Sequence, residues 1–359
     1  MVVDHHTFTA INLFGDYIPY NSFFMPMFVF ISGYFNKVDL DTKLLPYTWK
    51  KVRTLLFPYA GIALAVFLLQ QLINWFKTGE IVPLPGGYLM YMLERVVTSG
   101  SPFALVTPMW FVITLFTTLV VYAVIRKFLS KIWNSYVMVG IFTGLHLLTV
   151  YLARNLDPEA IYWYLVPLKI LFFLPFLELG VIYRDHLEGK HISMSGGWKI
   201  GLIFFLLGVN MIRTMYLPNA YDVAFDSIDE LAGFTSPYII TPLVSSIVGI
   251  LFWLTLVDLI GKPLFESRFV NYMSCNTFWI MGFHIVFYNI LNCVLMLVDK
   301  VVELPYFDVE AFRESEWYMW EISPSFKLAY VIIGVLGPLG VKLLYDRISS
   351  RVIKTAKPS

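Results

Sequence analysis

The chain has 359 residues, of which 58% are hydrophobic and only 14% charged, against roughly 25% charged in an ordinary soluble domain. A formal net charge of +1 argues for neither nucleic acid nor an acidic polymer as partner. So large an apolar fraction exceeds what one soluble core hides, and it comes in runs near the roughly 20 residues that a helix needs to cross a hydrocarbon layer.

Apolar runs between charged punctuation predict nine spans, near residues 18–35, 54–76, 105–125, 136–152, 164–183, 200–217, 238–260, 276–298 and 326–345. The first holds Met25-Pro26 and ends Ser32-Gly33-Tyr34, where small residues suit close helix packing better than nucleophilic chemistry. The second follows a basic stretch with Lys50, Lys51 and Arg53. The fifth carries Lys169 and Glu178, the sixth Arg213 and the eighth His284. Ionisable groups inside a membrane are expensive and are functional candidates by default. Tyr17, Tyr34, Trp49, Trp75, Trp133, Trp163 and Trp253 crowd the span ends, as rings that prefer the lipid–water boundary do.

Cys275 and Cys293 fall on one predicted helix, 18 residues apart, which is roughly 27 Å along the axis and too far for a disulfide within that helix. Zinc spacings, phosphate-cradling glycine loops and a Gly-x-Ser-x-Gly elbow are absent, so the expected chemistry is intramembrane and metal-free. Alternate loops hold eighteen Lys and Arg on one side and five on the other, with Lys169, Arg213 and Lys327 within or at the mouths of spans. The positive-inside rule makes the rich side cytoplasmic, with the C-terminus inside and the acidic loops 218–237 and 299–325 facing out. No composition shift marks a second domain, so residues 1–359 read as one integral membrane domain.

Five local motifs stand in order: NSFFMPMFVFISGYF from Asn21, KKVRTLLFPY at 50–59, PMWFVITLF at 108–116, LFFLPFLELGVIY at 171–183 and NTFWIMGFH at 276–284. Together they resemble the acyltransferase type 3 family of membrane-bound acyltransferases. The resemblance implies an all-α bundle of ten spans, an acyl-CoA donor on the cytoplasmic side and an extracytoplasmic sugar or polysaccharide acceptor. Two departures stand out. The family's arginine pair is represented by Lys50 and Arg53, so a point charge replaces one planar guanidinium fork. The opening MVVDHHTF resembles the outer end of the family's first helix, which predicts that only a remnant of that helix is present.

A sugar hydroxyl needs a general base near neutral pH, and histidine suits the task. His6, 19 residues before Met25, matches the spacing of the family's catalytic histidine. His5 would point about 100° away, and a solvated histidine pair is the alternative. Asp4 is a candidate to orient an imidazole. Lys50 and Arg53, three apart on one helix face, are expected to hold the phosphates of acetyl-CoA or simply to anchor the cytoplasmic boundary, the reading preferred for Lys51. Lys169, Glu178, Arg213 and His284 are expected at the acceptor, with a structural ion pair as the other reading for Glu178 and an interhelical hydrogen bond for His284.

The expected protein is therefore a multi-pass enzyme of the inner (plasma) membrane that O-acetylates cell-envelope polysaccharide in a bacterium. The lipid bilayer is its surroundings, and other polysaccharide-biosynthesis proteins are potential partners. A flippase for lipid-linked sugar would share the spans and buried charges but has no need of a basic cytoplasmic motif combined with a membrane histidine. An inactive assembly partner is the third reading.

Overall fold

The computed structural model describes residue 14 and residues 17–80, 86–132, 134–155, 158–216, 239–305, 307–315 and 326–355. In chain order its helices are α1 (Phe24–Tyr34), α2 (Leu44–Lys51), α3 (Phe57–Thr78), α4 (Tyr88–Thr98), α5 (Trp110–Phe128), α6 (Ser135–Asn155), α7 (Pro158–Ile182) and α8 (Glu188–Ile192). There follow α9 (Gly196–Tyr216), α10 (Thr241–Ile260), α11 (Lys262–Glu266), α12 (Arg268–Cys275), α13 (Thr277–Asp299), α14 (Val309–Glu314) and α15 (Lys327–Thr355). No strand occurs among the described residues.

Among the described residues, eight continuous helical stretches are long and apolar enough to cross a membrane: Leu44–Thr78, Ala104–Phe128, Ser135–Ala153, Val166–Ile192, Gly196–Tyr216, Thr241–Ile260, Thr277–Asp299 and Lys327–Ile348. They coincide one for one with the second to ninth predicted spans. The first predicted span takes another form, a 3-10 turn at Tyr20–Ser22 followed by the 11-residue helix α1, roughly 16 Å long at 1.5 Å per residue. The chain is a helical, multi-pass membrane protein.

Two helices run further than their charges suggested. α2 continues into α3 through a π turn at Val52–Leu56, and α7 continues into α8 through a second one at Tyr183–Leu187. Pro58 accounts for the first, because without an N–H it cannot bond the carbonyl four residues back, and the local ladder widens. At the far end α3 stops at Gly79, whose φ of 79° lets its N–H reach the Trp75 carbonyl at 2.7 Å, the left-handed helix stop that glycine adopts without strain.

α7 is the centre of the bundle. It packs against α1, α5 and α6, while α9 and α10 pair beside α1. A second group joins α3, the 3-10 segment Ala104–Met109 and α13, which in turn packs on α15. Leu64, Leu68 and Leu72 of α3 are about 60% exposed; at this four-residue spacing they form one outward stripe suited to lipid tails.

The contact of α1 with α7 is backbone against backbone. A Cβ on Gly33 would lie 2.0 Å from the Leu177 carbonyl oxygen, and one on Gly180 would lie 2.1 Å from the Phe30 carbonyl oxygen. Each glycine thus admits the other helix, the role expected for Gly33, while the Ser32 hydroxyl donates to the Phe28 carbonyl of its own helix at 2.8 Å. Gly33→Val or Gly180→Val should force the helices apart and cost at least about 1–3 kcal/mol. Gly140→Ala, where nothing lies within 4 Å of the added Cβ, should be neutral or slightly stabilising; melting in detergent, followed by tryptophan fluorescence, separates the two cases.

Candidate functional site

Leu177 and Gly180 of α7 face α1, and residue 178 is turned about 100° from 177 on an ideal helix. That rotation aims Glu178 at α5. Its carboxylate is fully buried: Oε2 accepts from the Tyr122 hydroxyl at 2.8 Å, and Oε1 lies 3.5 Å from Nη2 of Arg126, whose side chain is 4% exposed. Tyr122 and Arg126 are four residues apart on α5 and so share a face. Arg126 also reaches the Ser135 hydroxyl at 3.4 Å. The carboxylate charge, which would be prohibitive alone in a membrane interior, is compensated by a guanidinium and a phenol from a neighbouring helix.

Arg53 lies in the π turn, which packs on the same helix α5. Both Lys50 and Arg53 are exposed, and the Lys51 ammonium stands 5.3 Å from the Tyr47 ring centre. The structure therefore gathers the basic motif and the Glu178–Arg126–Tyr122 cluster around one end of α5, the first at the surface and the second inside. Asp4, His5 and His6 lie outside the described residues.

The remaining candidates are held elsewhere. Lys169 precedes Glu178 by nine residues on α7, about 13.5 Å along the axis, so one compact site does not hold both. It is fully buried, with Nζ 3.9 Å from the centre of the Trp110 ring, a cation–π contact strengthened by the low dielectric. Arg213 is buried near the end of α9, where Nε donates to Asn210 Oδ1 at 3.1 Å and Nη2 to Thr214 Oγ1 at 3.2 Å. His284 is fully buried in α13, its Nδ1 donating to the carbonyls of Ile280 and Met281, both at 3.0 Å, and its ring edge-on to Tyr288.

Sequence reasoning counted Arg126 among loop cations and passed over Tyr122 and His146. The signal for the first two was partial: a Tyr and an Arg four apart, the Arg closing an apolar run. His146 is fully buried on α6, and its Nδ1 donates to the Phe172 carbonyl at 2.8 Å. Pro175 removes the N–H that would bond the Leu171 carbonyl, one residue before the carbonyl that His146 reaches. Cys275 and Cys293 are free thiols. Among the described residues no group of three or more His, Cys, Asp or Glu is placed to hold a metal ion.

Removing one partner of the buried pair strands the other charge, so Arg126→Met should cost about 3–5 kcal/mol of stability. Arg126→Met combined with Glu178→Leu should cost less than the single change. Thermal unfolding of both purified variants checks this, and a double variant less stable than Arg126→Met contradicts the pairing.

Comparison with known proteins bears on the chain as a whole. The family model for type 3 acyltransferases, described as an acyltransferase domain, matches residues 1–340 of the chain. Neither the curated proteins nor the solved structures compared with it include one that matches. A match over nearly the whole bundle shows that this multi-pass membrane protein belongs to the acyltransferase type 3 family.

Proposed function

We propose that the protein is an acyl-CoA-dependent O-acyltransferase of the inner (plasma) membrane, a single domain that carries an acetyl group from a cytoplasmic thioester to a hydroxyl of an extracytoplasmic sugar or polysaccharide. The observation that carries this reading is the family match over residues 1–340, which spans the basic motif, the aromatic helices and the N-terminal histidines. The excess of Lys and Arg on the side that includes residues 342–357 supports a cytoplasmic C-terminus.

Lys50 and Arg53 are suited to the donor because their exposed cations lie on the part of the continuous Leu44–Thr78 helix that would border the cytoplasm. Phosphates of coenzyme A would be held there by charge-assisted hydrogen bonds, Arg53 offering a planar fork and Lys50 a point charge. His6 serves as the base, with His5 beside it and Asp4 as the orienting carboxylate. In direct transfer His6 takes the hydroxyl proton as the sugar oxygen attacks the thioester carbonyl carbon; the C–S bond breaks and the thiolate leaves, to be protonated. In a relay the imidazole itself accepts the acyl group and passes it to the sugar. Lys169, Arg213 and His284 are assigned to the acceptor side of the path, and Glu178, held by Arg126 and Tyr122 on the helix against which the π turn of the basic motif packs, to the stretch of the path nearer the donor. Acceptor delivery would involve other polysaccharide-biosynthesis proteins or the bundle itself.

Transfer of labelled acetyl from acetyl-CoA to envelope glycan, in membranes containing the protein, tests the reading. His6→Ala should reduce transfer by at least about 10²-fold, as loss of a general base does. Arg53→Ala should chiefly raise the acetyl-CoA concentration needed for half-maximal rate. Absence of transfer with any acyl-CoA, despite folded protein and native glycan, would contradict the proposal and favour a flippase or an assembly partner.

A further inference from the structure

Two concave surfaces differ in kind. The groove between α3 and α13, lined by Leu72, Trp75, Ile290 and Leu297, is apolar throughout and points to no particular occupant. The other is a cleft of about 270 Å³ formed by α1, the α7–α8 junction, α10 and α11, at the end of the bundle that carries the basic loops. Its mouth is apolar, with Phe35 71% and Phe265 63% exposed, at the level where spans end and lipid headgroups begin.

The interior of the cleft is built for a cation. Phe30, Tyr34, Phe35 and Tyr183 all line it, with ring centres 4.9 Å apart for Tyr34–Phe35, 5.6 Å for Phe30–Tyr183 and 6.4 Å for Tyr34–Tyr183. Clustered aromatic faces attract ammonium groups. Two carboxylates join them. Glu188 is oriented by the Tyr34 hydroxyl, which donates to Oε1 at 2.6 Å, and one phenol occupies one of about four acceptor positions on a carboxylate. Asp258 stands opposite, 2.7 Å from the Lys199 ammonium, which also donates to the Ile192 carbonyl at 3.0 Å.

The wall behind is rigid. Thr255 donates to the Leu251 carbonyl at 2.7 Å and so accepts from Nε2 of His191 at 3.1 Å, leaving Nδ1 to accept from the Tyr183 hydroxyl at 2.7 Å. Tyr183 is thereby fixed as part of the aromatic wall, and α7 is tied to α10.

We propose that this cleft binds a phospholipid bearing a primary ammonium headgroup, phosphatidylethanolamine. The ammonium would sit among the aromatic rings and donate to Glu188, the phosphate would stay at the headgroup level of the mouth, and the acyl chains would leave over Ile31, Phe35, Leu254 and Phe265. A carboxylate held by a phenol favours a head with N–H donors over choline, which has none.

Native mass spectrometry of the purified full chain, titrated with phosphatidylethanolamine, phosphatidylcholine and phosphatidylglycerol of identical acyl chains, reads binding without reference to catalysis. Phosphatidylethanolamine should bind at least about tenfold more tightly than either competitor, and Glu188→Gln should remove that margin. Equal binding of phosphatidylcholine or phosphatidylglycerol, or full retention of phosphatidylethanolamine by folded Glu188→Gln, would overturn the assignment. Should Glu188→Gln fail to fold, Phe35→Ala examines the same cleft from an exposed position: weakened phosphatidylethanolamine binding supports it, and unchanged binding refutes it.

Discussion

The place where α1 and α7 touch governs the rest of the bundle. With the Leu177 carbonyl where a Gly33 side chain would have to be, and the Phe30 carbonyl where a Gly180 side chain would have to be, the two helices meet at backbone distance and their relative rotation is set. Lipid tails are as apolar as leucine, so association in a membrane relies on such close packing rather than on expelling water. Once Leu177 and Gly180 face α1, Glu178 has one direction left, toward Tyr122 and Arg126 on α5. A steric constraint between two glycines thus decides where a buried charge points.

The same logic recurs at the ends of these helices. α1 is only 11 residues long, and its final carbonyls need partners. Arg184, carried round by the π turn after α7, donates Nη1 to the carbonyls of Tyr34 and Asn36 at 2.9 and 2.7 Å while pairing with Asp185. A cation at a helix C-terminus also complements the helix dipole. Lys77 acts similarly at the far end of α3, donating to the Ser315 carbonyl at 2.7 Å with its ammonium 4.6 Å from the centre of the Phe312 ring. The charges embedded at these helix ends serve to complete backbone and aromatic surfaces that water would otherwise solvate.

Hydropathy made eight of the spans legible, since each is a long apolar run and a helix is the way a single segment satisfies its own backbone in lipid. The first span was harder, because Pro19, Asn21 and Pro26 shorten the helix without lowering its hydrophobicity. Helix continuation past Arg184 and before Arg53 was hidden for a related reason: charge marks the membrane boundary, whereas the backbone ladder runs on through a π turn. Candidate polar residues were recognisable by their cost, and Glu178, Lys169, Arg213 and His284 all prove buried. Their partners were not recognisable. Periodicity reports which face of a helix is apolar and says little about which helix lies opposite, so Arg126 and Tyr122 emerged only with the packing. Lys50 and Arg53 were chosen by resemblance and spacing, and the structure adds that the turn bearing Arg53 rests on the helix that pairs with Glu178. His6, with His5 and Asp4, lies outside the described residues and rests on motif spacing.

Under the proposed function, thioester chemistry belongs on the basic side of this bundle and the acyl acceptor on the other. Sealed vesicles of known orientation, given acetyl-CoA on one face and glycan on the other, test this through release of the coenzyme A thiol, measured with a membrane-impermeant thiol reagent. The account predicts thiol release on the face that bears the basic loops, dependent on glycan at the opposite face. Release only when both substrates share one face, or none in either orientation, would contradict it.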